Sequence, residues 1–206
     1  MAHSRSSDDK QLITEVEQFT SSDERVSDSA WRRLQGRTRS ELIEDLTRIS
    51  DASAPDDQNR VLIAFTLCSL GHDYSSNRQI VVSALSKKPP FKHLAGDWAV
   101  SLIRRLIVRG DHDLLVLLFD ASDWSDGAMT TELTHAYSQT LVADPATFLR
   151  MLSSRPEQTR SQVILLFKDN SLTEDEKKKV KAYLQNVSRQ SSFGHLAEEM
   201  MRALTD

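Results

Sequence analysis

The sequence predicts an all-α protein, a right-handed stack of antiparallel helix pairs. Three observations predict it. Gly and Pro are scarce, at 6 and 5 of 206 residues, whereas a sheet protein needs many Gly-rich and Pro-rich turns. Amphipathic stretches of helical length follow one another, each opened by a capping residue and several preceded by Gly or Pro. No segment carries a convincing period-two alternation. Taken two at a time, the later stretches begin near Thr38, Ser76, Asp111, Asp144 and Thr173, roughly 29 to 38 residues apart and near the length of two-helix repeats. A helix pair buries its apolar side only by stacking on neighbouring pairs. An irregular all-α globule is the alternative architecture.

Residues 1–9 are Ser-rich and charged, and their composition predicts disorder. Leu12, Ile13, Val16 and Phe19 then share one helical face. A second helix is expected from Asp23 to Gln35, with Val26, Ala30, Trp31 and Leu34 as its stripe and Gly36 as its stop. Thr38 and Glu41 have capping-box spacing ahead of Leu42, Ile43, Leu46 and Ile49. Pro55 suits the first turn of the next helix, which ends at Leu70 and Gly71. That helix is apolar nearly all round, which predicts enclosure by neighbours.

Ser75, Ser76 and Asn77 supply a cap for the stretch through Ile80–Leu85. Its β-branched run is too short and too irregular for a strand, and Pro89–Pro90 ends it. Leu94, Trp98, Leu102 and Leu106 repeat every fourth residue beside Ala95, Ala99 and Ile103, and Gly110 closes that helix. Asp111 or Asp113 opens the next, through Leu114, Leu115, Leu118 and Phe119. After a polar turn from Asp120 to Gly127, Met129, Leu133, Ala136, Tyr137 and Leu141 form a stripe. Asp144–Pro145 is a cap followed by a first-turn proline, with Phe148, Leu149 and Leu152 buried behind it. Arg155–Pro156 breaks the chain before the helix containing Val163–Phe167. Thr173 and Glu176 form a second capping box, with Tyr183, Leu184 and Val187 facing inward. A last helix from about Ser191 carries Leu196, Ala197, Met200, Met201 and Leu204.

This succession resembles the helical-repeat class that includes HEAT and armadillo proteins, over residues 38–206 and at the level of consecutive helix pairs. No repeat consensus aligns position by position, and neither the tetratricopeptide nor the ankyrin pattern is present. The resemblance implies an α-α superhelix forming one repeat domain over residues 10–206, with a concave binding surface.

Formal net charge is -4, which disfavours a polyanion as default partner. The one cysteine, Cys68, sits in an apolar run and reads as a small core residue. It excludes an internal disulfide framework and any multi-cysteine metal site. No stretch approaches the roughly 20 apolar residues of a membrane span. The expectation is a soluble, cytoplasmic chain; a chain relieved of an export signal would read the same way.

Catalysis has no sequence nominee. The acids Asp120, Asp123 and Asp126 before Gly127 are three apart, and an EF-hand register would place Ser122, Trp124 and Leu133 at ligand positions, so a calcium loop fails and helix capping is expected. No two of His3, His72, His93, His112, His135 and His195 have zinc-helix spacing. His72 and His112 each sit beside carboxylates at a helix boundary, where an aligned pair of turns would bring them together; solvated turn histidines are the simpler reading. No nucleophile elbow, phosphate loop or dinucleotide fingerprint is present, and no cofactor is expected.

The expected function is a non-catalytic protein-binding or scaffolding module. Arg104, Arg105 and Arg109, grouped on one helix, are the candidate contacts for an acidic protein segment, with internal ion pairing as the competing role. Trp124, in a polar turn, is the candidate aromatic contact. Arg32, Arg33, Arg37 and Arg39 cluster where a helix end favours cations. The run Lys177–Lys181 is expected to pair along its helix, Glu174 with Lys178 and Asp175 with Lys179. A helical-repeat enzyme or DNA-repair-type nucleic-acid binder is the alternative.

Overall fold

Local capping decides where the helices start and stop. The computed structural model describes residues 2–21, 23–85, 96–125, 127–168, 172–188 and 193–205. Among them are twelve helices and no strand: α1 Ala2–Phe19, α2 Glu24–Gln35, α3 Arg39–Ala52, α4 Gln58–Ser69, α5 Tyr74–Ser83, α6 Gly96–Val108, α7 Leu114–Ser122, α8 Gly127–Ala143, α9 Pro145–Ser153, α10 Glu157–Leu165, α11 Glu174–Ser188 and α12 Gly194–Ala203. The all-α class holds, and both ambiguous runs, Ile80–Leu85 and Leu114–Phe119, lie in helices or their last turns. No described helix is long and apolar enough to cross a membrane. Pro89–Pro90, Leu94, Ala95, Asp126 and Ser191, named above, lie outside the described residues.

Several caps stand where the residues put them. Asp23 accepts from the amides of Arg25 and Val26, and Asp144 accepts from the Thr147 amide at 3.1 Å. In the Thr173 box, Glu176 takes the Thr173 amide at 2.9 Å while its own amide donates to Thr173 Oγ1 at 3.3 Å. The Thr38 box does not form, since Thr38 makes no side-chain cap bond. Helix α4 starts after Asp57, not at Pro55, and α5 starts at Tyr74, ahead of the expected serines. Its Asp73 cap adopts a left-handed φ of 36°, a region Asp tolerates better than most residues. Asn77, expected as a cap, instead donates back to the carbonyls of His72 and Asp73.

Two glycines close their helices by the same device. Gly71 (φ 68°) and Gly110 (φ 109°) occupy conformations that a Cβ disfavours. The following amides, of His72 and Asp111, reach back to the carbonyls of Leu67 and Leu106 at 3.0 and 3.1 Å. The glycine amides donate to Cys68 and Ile107. Both turns are Schellman motifs.

The chain groups into two compact units, Met1–Leu102 and Ile103–Asp206, with the division inside α6. The sequence reading placed one domain over residues 10–206 and a disordered segment before it. Here α1 begins at Ala2, and its Asp9 accepts from Arg48 of α3 at 2.8 and 3.0 Å.

In the first unit, α4 packs against α1, α3 and α5, and α1 packs against α2. Every residue from Val61 to Cys68 is buried, as a helix without a polar side requires. The buried Thr66 hydroxyl is satisfied by the Leu62 carbonyl at 2.9 Å. Phe19 stacks on Trp31 with centroids 4.7 Å apart and meets Phe65 at 5.6 Å. Ser27 of α2 donates to the Phe19 carbonyl at 2.6 Å, satisfying an acceptor at the end of α1.

In the second unit, α7, α8 and α9 all touch one another, and each meets the helix three places on: α7 with α10, α8 with α11, α9 with α12. Two-place contacts of the kind stacked pairs give are present too, α7 with α9 and α10 with α12, while α8 on α10 and α9 on α11 are minor or absent among the described residues. The starts of these partners are 43 residues apart for Leu114 and Glu157, 47 for Gly127 and Glu174, and 49 for Pro145 and Gly194. Aromatic rings join the two tiers. Phe148 lies edge-on to Phe119 at 5.3 Å and to Phe167 at 5.9 Å, and Tyr137 tilts against Phe119 at 5.3 Å.

Phe148 is fully buried, so Phe148→Ala opens a cavity at the centre of this cluster and is expected to cost about 3–5 kcal/mol in a denaturant melt. A loss near zero would show that the cluster does not hold the two tiers together.

Candidate functional site

The arginines of α6 occupy its last two turns. Arg104 and Arg105 are half-buried and Arg109 is exposed just past the helix end. Arg104 donates to Gln139 Oε1 of α8 at 3.3 Å, while its Nε is buried without an acceptor. It therefore ties α6 to α8 within the second unit. Val108 stands in the same turn, three residues from Arg105, four from Arg104 and next to Arg109, and is 67% exposed. The sequence stripe gave no reason to single out this valine. Its exposure follows from its register, because Ile103, Leu106 and Ile107 take the buried side.

Trp124 follows α7 in the turn and is half-buried, its amide donating to the Ala121 carbonyl at 3.2 Å. The carboxylates around it are occupied structurally. Asp120 pairs with Arg155 at 2.6 Å, and Asp123 accepts from the Thr159 hydroxyl at 3.1 Å. These bonds fasten α10 and the turn before it to α7. Below them the Tyr137 hydroxyl donates to the Leu118 carbonyl at 2.5 Å and lies 2.7 Å from Ser122 Oγ. Burial raises the Tyr137 pKa far above that of an ordinary phenol.

The arginines around the end of α2 also reach other elements. Arg37 pairs with the buried Glu15 of α1 at 3.0 Å. Arg33 bonds Ser29 at 2.9 Å and also Gln18 of α1. Arg39 donates to the Leu70 carbonyl at the end of α4. In α11, Lys177 takes Glu174 at 3.2 Å, one residue earlier than the Lys178 pairing read from the sequence.

His72 belongs to the first unit, in its Schellman turn, and His112 to the second, one residue past the other such turn. His135 and His195 are exposed; His93 and the side chain of His3 lie outside the described residues. Among the described residues, no group of three His, Cys, Asp or Glu side chains is placed to hold a metal ion. Cys68 is buried, its Sγ 3.8 Å from the Tyr74 carbonyl.

A second surface was not legible in the sequence. A shallow concavity of about 900 Å³ runs along α3, lined by Ile43, Glu44, Thr47, Asp51, Ala52 and His72 among others. Arg48 also lines it, held by Asp9 and by Asp45 at 2.9 Å. Those two bonds raise its pKa further and keep it cationic.

No protein-family model, no curated protein sequence and no solved structure matches this chain.

The Asp144 cap next to His112 has a useful pH dependence. Its bonds to Thr147, aided by the charges of His112 and Arg150, hold the carboxyl below its ordinary value. A folded pKa below the unfolded one gives stability that is present above the unfolded value and lost as pH falls through the folded one. Asp144→Ala is expected to cost about 1 kcal/mol at neutral pH. The gap from the parent protein should narrow below about pH 4. A gap that widens on acidification in urea melts would contradict the cap.

Proposed function

We propose that this protein is a non-catalytic binding module that presents helix surfaces to a partner protein. The observation that carries the reading is the last turn of α6, where the 67% exposed Val108 sits among Arg104, Arg105 and Arg109. An exposed aliphatic side chain in a stretch that carries three arginines suits a partner segment with an apolar anchor and flanking carboxylates. The guanidinium forks would supply direction, and the valine a dry contact.

The scaffold for this is a superhelical stack in the manner of HEAT and armadillo repeats. Support comes from the three-place register of the second unit, with offsets of 43, 47 and 49 residues between partner helices. Repeats of this class run about 40–47 residues with two or three helices each. The three-place contacts support a three-helix form, and the contacts of α7 with α9 and of α10 with α12 support the helix pairs read from the sequence.

The test is a titration of the full chain with an acidic amphipathic peptide and with its Lys-for-Glu counterpart. The acidic peptide should bind at least about tenfold more tightly. Val108→Asp should remove that preference while changing stability by no more than about 0.5 kcal/mol. Equal binding of both peptides would reject the reading, as would binding of a generic DNA duplex with steep salt dependence.

A further inference from the structure

The exposed side of α3 carries a charge pattern opposite to that of α6. Ser40, Ile43, Glu44, Thr47 and Asp51 recur every three or four residues, so they share one face. From Ser40 to Asp51 this face runs about 16 Å. The surface between its charges is mostly apolar, with Ile43, Ala52 and the Thr47 side chain forming the concavity.

The charges do not cancel. Arg48 is committed to Asp9 and Asp45. Glu44 and Asp51 are both exposed, and neither carboxylate is held in an ion pair by a described residue. Four carboxylates, Asp9, Glu44, Asp45 and Asp51, thus stand on or beside this face against two guanidinium groups, Arg48 and, at its His72 end, Arg39. Arg39, the nearest other arginine in sequence on this helix, donates to the Leu70 carbonyl.

We propose that this face of α3 docks a basic amphipathic helix of a partner protein. Glu44 and Asp51 are two turns apart, about 10 Å along the helix axis. A helix laid along α3 presents two cations at the same spacing when they are seven residues apart. Side chains three or four residues in from either cation then fall on the same face and meet Ile43 and Thr47. A shallow, elongated, apolar floor suits a helix, whereas a small molecule needs a site that encloses most of its surface. Attraction between the two rims sets direction and speeds encounter. This surface belongs to the first unit and the arginine turn of α6 to the second, so either proposal stands if the other fails.

The test titrates the full chain with a synthetic helix-forming peptide of about four turns, bearing two Lys seven residues apart with Leu between them. Its twin carries Glu in place of Lys. The basic peptide should bind at least about tenfold more tightly than its twin, and Glu44→Gln with Asp51→Asn should remove about tenfold of that affinity. Amide shifts on adding the basic peptide should concentrate on α3 and His72. Both carboxylates are exposed, so an unchanged melt of the double variant establishes that the loss is one of binding. Equal affinity for the twins, binding that survives the double variant, or shifts confined to other helices would overturn the proposal. So would self-association in sedimentation that the double variant abolishes, which would assign this face to a second copy of the chain.

Discussion

Burial of helices that have no polar side is the constraint on which the rest of the structure depends. In α4 every residue from Val61 to Cys68 is buried, and α7 buries Leu114, Leu115, Leu118, Phe119 and Ala121 in only nine residues. Helices this short are marginal in water by themselves. They persist because neighbours surround them: α1, α3 and α5 around α4, and α8, α9 and α10 around α7. The amphipathic helices outside are arranged to serve that enclosure. Their exposed sides face solvent.

Polar bonds set the register within this apolar frame. Arg155 on Asp120 and Thr159 on Asp123 hold α10 against α7, and the Tyr137 hydroxyl fixes α8 to the Leu118 carbonyl. In the first unit Arg37 on Glu15 and Ser27 on the Phe19 carbonyl do the same for α1 and α2. Apolar contact is nondirectional and tolerates sliding. A hydrogen bond to one named carbonyl does not, because a shift leaves a buried group unpaired.

What the sequence revealed was local. The Asp144 and Thr173 caps and the stops at Gly71 and Gly110 could be read because their bonds span only a few residues. Enclosure of α4 was legible from its all-round apolar run. The start of α5 was missed because Asp73 takes a left-handed conformation and Asn77 turns back to the carbonyls before it. The stacking register was not legible because pair spacing in sequence does not decide which helix lies on which. Arg104 reaches Gln139, Arg155 reaches Asp120, and Thr159 reaches Asp123, each across about 35 positions. No local rule connects such residues. The α3 surface was hidden for the same reason, since its net charge emerges only once Arg48 is known to be held by Asp9 from α1.

The two candidate surfaces follow from this division of labour. Some arginines and carboxylates fasten helices together, and the two candidate surfaces combine charged side chains with exposed apolar ones on one turn of α6 and one face of α3. Amide hydrogen exchange tests the underlying constraint most directly. If α4 is held only by enclosure, the amides from Val61 to Cys68 exchange with the slowest class and only through global unfolding. Exchange of those amides as fast as that of the solvent-facing amides of α2, under conditions where the fold is intact, would contradict the account.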